Sequence, residues 1–297
     1  MIRTTIFLIT VFCFSITFSQ TINQKVKDNR GNLKLLGVID KEGLTQTPFN
    51  GWFSKNYNSY LTNDKVVAKL KSTLKGYQIT VFLGTWCGDS KREVPRFYNV
   101  LEAADFQEKN LKVIAVDNDT KTYKQSPGGE EKGLNIHRVP TFIFYKDGKE
   151  VNRIVEYPKE SLEKDMLKIT TGENYRPNYM AANYLNILFK TQSIQELENM
   201  NEELVPIISQ AVKGVSELNT YGFVLFRSNQ VQKAFFVLDL NAKIFPYHYY
   251  VYSSLGKAFF EAENHSDALK NYKKSLALNS DNNNVKSMIQ EIEGMKQ

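Results

Sequence analysis

The sequence predicts a two-part chain: an α/β domain with a central mixed sheet flanked by helices, then an all-α domain of helical repeats. Three observations lead there. Between about residues 63 and 172, short β-branched runs alternate with amphipathic helical spacing. Beyond Arg176-Pro177 the apolar pattern is helical throughout. Within that part Gly222 and Ala234 recur as Gly256 and Ala268, a period of 34 residues. The 297 residues suffice for two cores at roughly 150 residues per domain. At 42% apolar and 24% charged, the chain is neither disordered nor collagen-like. Its 38 basic and 32 acidic residues leave +6, spread without a basic stripe, which argues against a nucleic-acid partner.

Residues 1–19 read as a signal peptide. Arg3 precedes an apolar run of 13 residues from Ile6 to Phe18, and Thr17 and Ser19 fit the small positions before a cleavage point at Gln20. The run is shorter than the about 20 residues that span a bilayer, so the expectation is a periplasmic or secreted protein without a stable membrane anchor. Cleavage removes Cys13 and leaves one thiol, Cys87, in a compartment where disulfides persist. Residues 20–62 form an N-terminal extension: Leu33, Leu35 and Val38 suggest a short strand, and Phe49, Trp52 and Phe53 pack on the next domain.

The elements of residues 63–172 follow in order. Val66, Val67, Leu70 and Leu74 mark a helix over 64–75, capped by Asn63 or Asp64 and stopped by Gly76. Ile79 to Leu83 is apolar on both faces, as a central strand requires. Trp86-Cys87-Gly88-Asp89-Ser90 then enters a helix through Phe97, Leu101 and Ala104, and Leu111 to Val116 is a second buried strand. Val139-Pro140-Thr141 leads into Phe142 to Tyr145, and Lys146-Asp147-Gly148-Lys149 turns the chain into Glu150 to Val155. A helix near Glu160 to Ile169 closes the domain.

This ordered set resembles the thioredoxin fold: an apolar strand, Trp-Cys-x-x-Ser at a helix start, Pro95 eight residues after the cysteine, Val-Pro-Thr entering a strand, and a Lys-Asp-Gly hairpin. Glu93 and Pro95 further resemble exported bacterial thioredoxin-like proteins whose motif continues Glu-x-Pro. A cysteine at the first turn of a helix faces unpaired N–H groups and the positive end of the dipole, which favour the nucleophilic thiolate. Lys91 and Arg92 add to this, and Asp89 opposes it. The resemblance implies that Pro140 is cis beside Cys87, that Val139 pairs with a substrate chain, and that Trp86 and Pro140 flank the sulfur. Gly88, Asp89 and Thr141 complete the substrate-binding surface, with Cys87 and Ser90 as catalytic residues. No cofactor is implied, and the expected partners are protein thiols and disulfides.

Two departures from the family pattern matter. The second motif cysteine is replaced by Ser90, and the buried carboxylate that cytoplasmic thioredoxins place six residues before the nucleophile is replaced by Val81. With no second thiol there is nothing for such a base to activate. Ser90 can donate a hydrogen bond to the sulfur, but leaving a mixed disulfide then requires an external thiol. Other single-thiol chemistries fit less well. Peroxiredoxin-like enzymes carry threonine where this chain has Gly84, and monothiol glutaredoxins share Cys-Gly-x-Ser but lack the tryptophan. A binding module with a vestigial site is the runner-up. His137, His248 and His265 have no metal-ligand spacing, and His137 reads as a surface-loop residue.

Residues 173–297 resemble tetratricopeptide repeats. In the better copy, Tyr252, Leu255, Gly256, Phe259, Ala268, Tyr272 and Ser275 fall at that family's large and small positions. A protein partner is expected on these repeats. Residues 183–213 form a degenerate helical flank with a capping box at Ser193 to Glu196, and Val285, Met288, Ile289 and Ile292 suit a terminal cap. The aromatic cluster Phe245, Tyr247, Tyr249, Tyr250 and Tyr252 is read as core packing.

Overall fold

The computed structural model describes residues 22–295, so the signal-peptide reading falls outside the described residues. Strands β1 (Gln24–Lys27), β2 (Leu33–Ile39), β3 (Tyr77–Leu83), β4 (Leu111–Ala115), β5 (Thr141–Lys146) and β6 (Lys149–Val155) form one mixed sheet in the order β1-β2-β4-β3-β5-β6. Only the central β3–β4 pair is parallel. Residues 24–39 therefore contribute two strands to the sheet, with Gly37 to Ile39 paired to Val113 to Ala115.

Period-2 alternation sorts the two faces. Tyr77, Ile79, Val81 and Leu83 face a layer made by α1 (Lys41–Thr45), α2 (Asn50–Asn58), α3 (Asp64–Thr73), α4 (Gly88–Ala103) and α5 (Leu162–Thr171). Phe82, Ile114 and Ile143 face the other way and are covered by Val116, Ile136 and Val139. That cover comes from the long segment between β4 and β5, which holds no helix. Asn63 caps α3 through the Val66 N–H (3.2 Å), and Asp147 and Gly148 take positive φ in the two-residue β5–β6 turn.

Pro95 lies inside α4 and has no N–H for the Lys91 carbonyl one turn back. Asn56 Nδ2 of α2 donates to that carbonyl instead (3.1 Å). The N-terminal extension thus repairs the helix that carries the motif.

The helical part contains α6 (Met180–Thr191), α7 (Ile194–Asn199), α8 (Asn201–Ala211), α9 (Val215–Arg227), α10 (Val231–Ile244), α11 (Tyr249–Glu261), α12 (His265–Leu278) and α13 (Asn283–Gly294). The hairpins α9–α10 and α11–α12 close in the same way. A Cβ on Gly222 would lie 2.7 Å from Leu238 Cδ2, and one on Gly256 would lie 2.6 Å from Tyr272 Cδ1, so both crossings depend on glycine. The capping box at Ser193 and Glu196 is present, and Val285, Ile289 and Ile292 bury the inner face of α13. Of the aromatic cluster, Tyr252 is buried as core packing requires. Tyr247, Tyr249 and Tyr250 are instead exposed: the first lies before α11 and the other two in its first turn, where Asn219 Nδ2 of α9 donates to the Tyr250 hydroxyl (3.1 Å).

Gly256→Val should lower stability by about 1–3 kcal/mol through overpacking against Tyr272. Gly294→Val, where a Cβ meets nothing within 4 Å, is the control. Equal denaturant midpoints for the two variants would show that the hairpin yields freely.

The two parts are joined tightly. Arg138 donates to the Ser216 carbonyl (2.9 Å), Gln125 Nε2 to the Arg227 carbonyl (2.7 Å), and Asn178 Nδ2 to the Tyr157 carbonyl (2.8 Å).

Candidate functional site

Strand β3 ends at Leu83, and Gly84 lets the Trp86 ring lie against the backbone: a Cβ there would stand 2.5 Å from Trp86 Cε2. A threonine at this position, as in peroxiredoxin-like sites, would displace the ring. Trp86 Nε1 donates to the Val116 carbonyl (2.9 Å), which fixes the indole across the C-terminal end of the sheet. Cys87 is the N-cap of α4 and makes no side-chain capping bond, so its sulfur is free to face outward near the first-turn N–H groups.

The Val139–Pro140 peptide is cis. Cys87 Sγ lies 3.2 Å from the Val139 carbonyl oxygen, to which the thiol donates. Cys87 and Trp86 are half-buried, Gly88 is exposed beside them, and Val139 and Pro140 are buried. Thr141 Oγ1 donates to the Arg138 carbonyl (2.7 Å), which makes Thr141 a support of this loop and not part of its surface. The structure thus gathers Trp86, Cys87, Gly88, Asp89, Val139 and Pro140 at one end of the sheet.

Three further expectations change. Ser90 is fully buried, and its Oγ accepts the Gly84 N–H (3.2 Å) without bonding Cys87, because the first turn of α4 points it back at β3. Arg92 adds no free charge to the thiol: its guanidinium holds Asp89 (2.6 Å) and Glu93 (2.6 Å), and the hydrogen bond it donates to Glu93 is the main cause of its raised proton affinity. His137 is no surface-loop residue. It is 3% exposed, with Tyr179 and Tyr221 rings 5.9 and 5.6 Å from its own, and burial pushes it down to about 3.

Sequence reasoning missed Lys124 and Arg138. Lys124 is buried with its ammonium 5.6 Å from the Trp86 ring centre and 5.0 Å from that of Tyr123. Arg138, one residue before Val139, lies 3.5 Å from Glu156 and 4.6 Å from the Tyr179 ring centre. A lysine shows no sign of burial in sequence, but the Arg138 position beside Val139 was readable. Among the described residues no group of three or more His, Cys, Asp or Glu is placed to hold a metal ion, and Cys87 is the one cysteine. No helix of the described residues is long and apolar enough to cross a membrane.

Residues 50–170 match the family profile described as Thioredoxin. The chain is 30% identical over 114 residues to a TPR repeat-containing thioredoxin of Arabidopsis thaliana, covering 38% of this chain and 27% of that protein. It is 33% identical over 97 residues to a thioredoxin of Listeria monocytogenes, covering 31% of this chain and 82% of that protein. A Staphylococcus aureus thioredoxin is 36% identical over 90 residues, covering 29% of this chain and 76% of that protein. The match thus spans about a quarter of the Arabidopsis protein's length and most of the bacterial ones. No solved structure matches the chain.

Proposed function

The chain belongs to the thioredoxin family, and from that premise we propose that it is an exported, single-thiol exchange protein whose helical part holds a protein partner. The carrying observation is the sulfur of Cys87 at the tip of α4, 3.2 Å from the Val139 carbonyl beside cis-Pro140, with Ser90 where a second thiol would sit. The Cys87 thiolate attacks one sulfur of a substrate disulfide. The substrate S–S bond breaks, a Cys87–substrate disulfide forms, and the other substrate sulfur leaves as a thiolate. Val139 and Pro140 present backbone to the extended substrate segment, and Trp86, Gly88 and Asp89 form the rest of the contact surface.

Ser90 offers no sulfur, so the mixed disulfide persists until an external thiol attacks it. When that thiol belongs to the same substrate, the outcome is isomerisation; when it is a separate reductant, the outcome is net reduction. Export through residues 1–19 places Cys87 where substrate disulfides exist. The paired hairpins α9–α10 and α11–α12, with their 34-residue period, support a tetratricopeptide-like array that binds a partner or the substrate itself.

Under mildly oxidising conditions, non-reducing gels of the natural protein should show protein adducts. These should vanish on reduction and be absent from Cys87→Ala. If the folded natural protein forms no adduct at all, the thiol is vestigial and the molecule is a docking scaffold.

A further inference from the structure

We propose that the cavity where the two parts of the chain meet binds a small aromatic anion that also carries a hydroxyl or amine; the inference stands apart from the exchange reading of Cys87. One wall comes from the segment between β4 and β5, and the other from α6, α9 and the start of α10. Its volume of about 480 Å³ suits a small molecule. The walls are fixed to each other, since Gln125 and Arg227, which are bonded across the seam (2.7 Å), both line the cavity. Phe189 of α6 gives it an aromatic surface, with the Tyr221 ring 6.5 Å away.

The charge on the walls is one-sided. Five basic side chains line the cavity against one carboxylate, that of Glu131, which accepts the Ser126 N–H (3.0 Å). Arg227 is paired with Glu261 (2.5 Å), and Lys124 turns its ammonium to the Trp86 and Tyr123 rings. Lys190 and Lys233 are left for an anion. Neither pairs with a carboxylate among the described residues; Lys233 Nζ donates to the neutral Gln230 Oε1 (3.1 Å) and stands 5.4 Å from the Phe189 ring centre, and Lys190 is the next residue after Phe189. A second, independent observation comes from the polar atoms. Tyr221 is 1% exposed, and its hydroxyl has no hydrogen-bond partner among the described residues; Asn135 Oδ1 is buried and likewise unpartnered, while its Nδ2 faces the Ala182 carbonyl (3.5 Å). Both residues line the cavity. A polar atom buried without a bond is costly, so a ligand that completes the set is favoured there. The hydroxyl donates to an anion, whereas the amide oxygen only accepts, so the ligand must bring a donor of its own.

The test is calorimetric titration of the full chain with 4-hydroxybenzoate, beside benzoate, which lacks the donor, and 4-hydroxybenzyl alcohol, which lacks the charge. The first should bind one molecule per chain and each analogue about tenfold more weakly. Tyr221→Phe, which removes only the unpartnered hydroxyl and should fold normally, and the double change Lys190→Met with Lys233→Met should each weaken binding about tenfold. Lys69→Met, at an exposed lysine of α3 outside the cavity wall, should bind as the natural chain does. Absence of binding by the folded chain up to about 10 mM would overturn the inference, and is the result expected if water alone fills the cavity. Binding that Tyr221→Phe and the double change leave intact, or that Lys69→Met weakens as much, would overturn it as well.

Discussion

Ser90→Cys should turn the trapped thiol into a cycling one. Position 90 sits one helical turn after Cys87 on α4 and is fully buried, as a resolving thiol would be. A sulfur there can attack the Cys87–substrate bond, release the substrate as a thiol and leave an internal disulfide between the two motif positions that a dithiol reductant reopens. Protein adducts should fall from a prominent band to a trace, and insulin reduction with a dithiol should rise from weak or absent to steady turnover. The variant loses some quality in the bond now made by the Gly84 N–H to Ser90, at a cost of about 1 kcal/mol. Brisk insulin reduction by the natural protein, or adducts that persist in a correctly folded Ser90→Cys, would show that the missing thiol does not control the reaction.

The second large effect is on pH. His137 lies between the cis-Pro140 loop and the helical part, and burial holds it neutral down to about 3. In the unfolded chain a histidine takes its proton near 6.5. Between those values the unfolded state binds more protons, so stability is complete above about pH 6.5 and is lost as pH falls through the window. The slope from this one group is about 1.4 kcal/mol per pH unit. Denaturant midpoints between pH 7 and pH 5 should therefore fall more steeply for the natural protein than for His137→Phe. Parallel curves would place the ring in contact with water.

Much of the first part was legible because it is local. The Asn63 cap, the glycine stop at Gly76, the Asp147-Gly148 turn and the motif on α4 are each fixed by a few neighbouring residues, and the structure has all of them. The pairing of β2 with β4 was not legible, since a polar β1 and a short apolar β2 say nothing about which distant strand they join. His137 was misread for the same reason: Tyr179 and Tyr221, which bury it, lie far along the chain. The Arg92 contacts were within reach, because Asp89 is three residues back and Glu93 adjacent. Lys124 was out of reach, since its surroundings are assembled from Trp86, Asp117 and a loop with no period of its own.

The loop that faces the sulfur is gripped from behind. Arg138 is anchored to the Ser216 carbonyl at the start of α9, while its neighbour Val139 offers the carbonyl oxygen nearest the thiol. The anchor to the helical part and the oxygen that meets the thiol therefore sit on adjacent residues of one loop, so a single short span of backbone belongs to both parts of the chain.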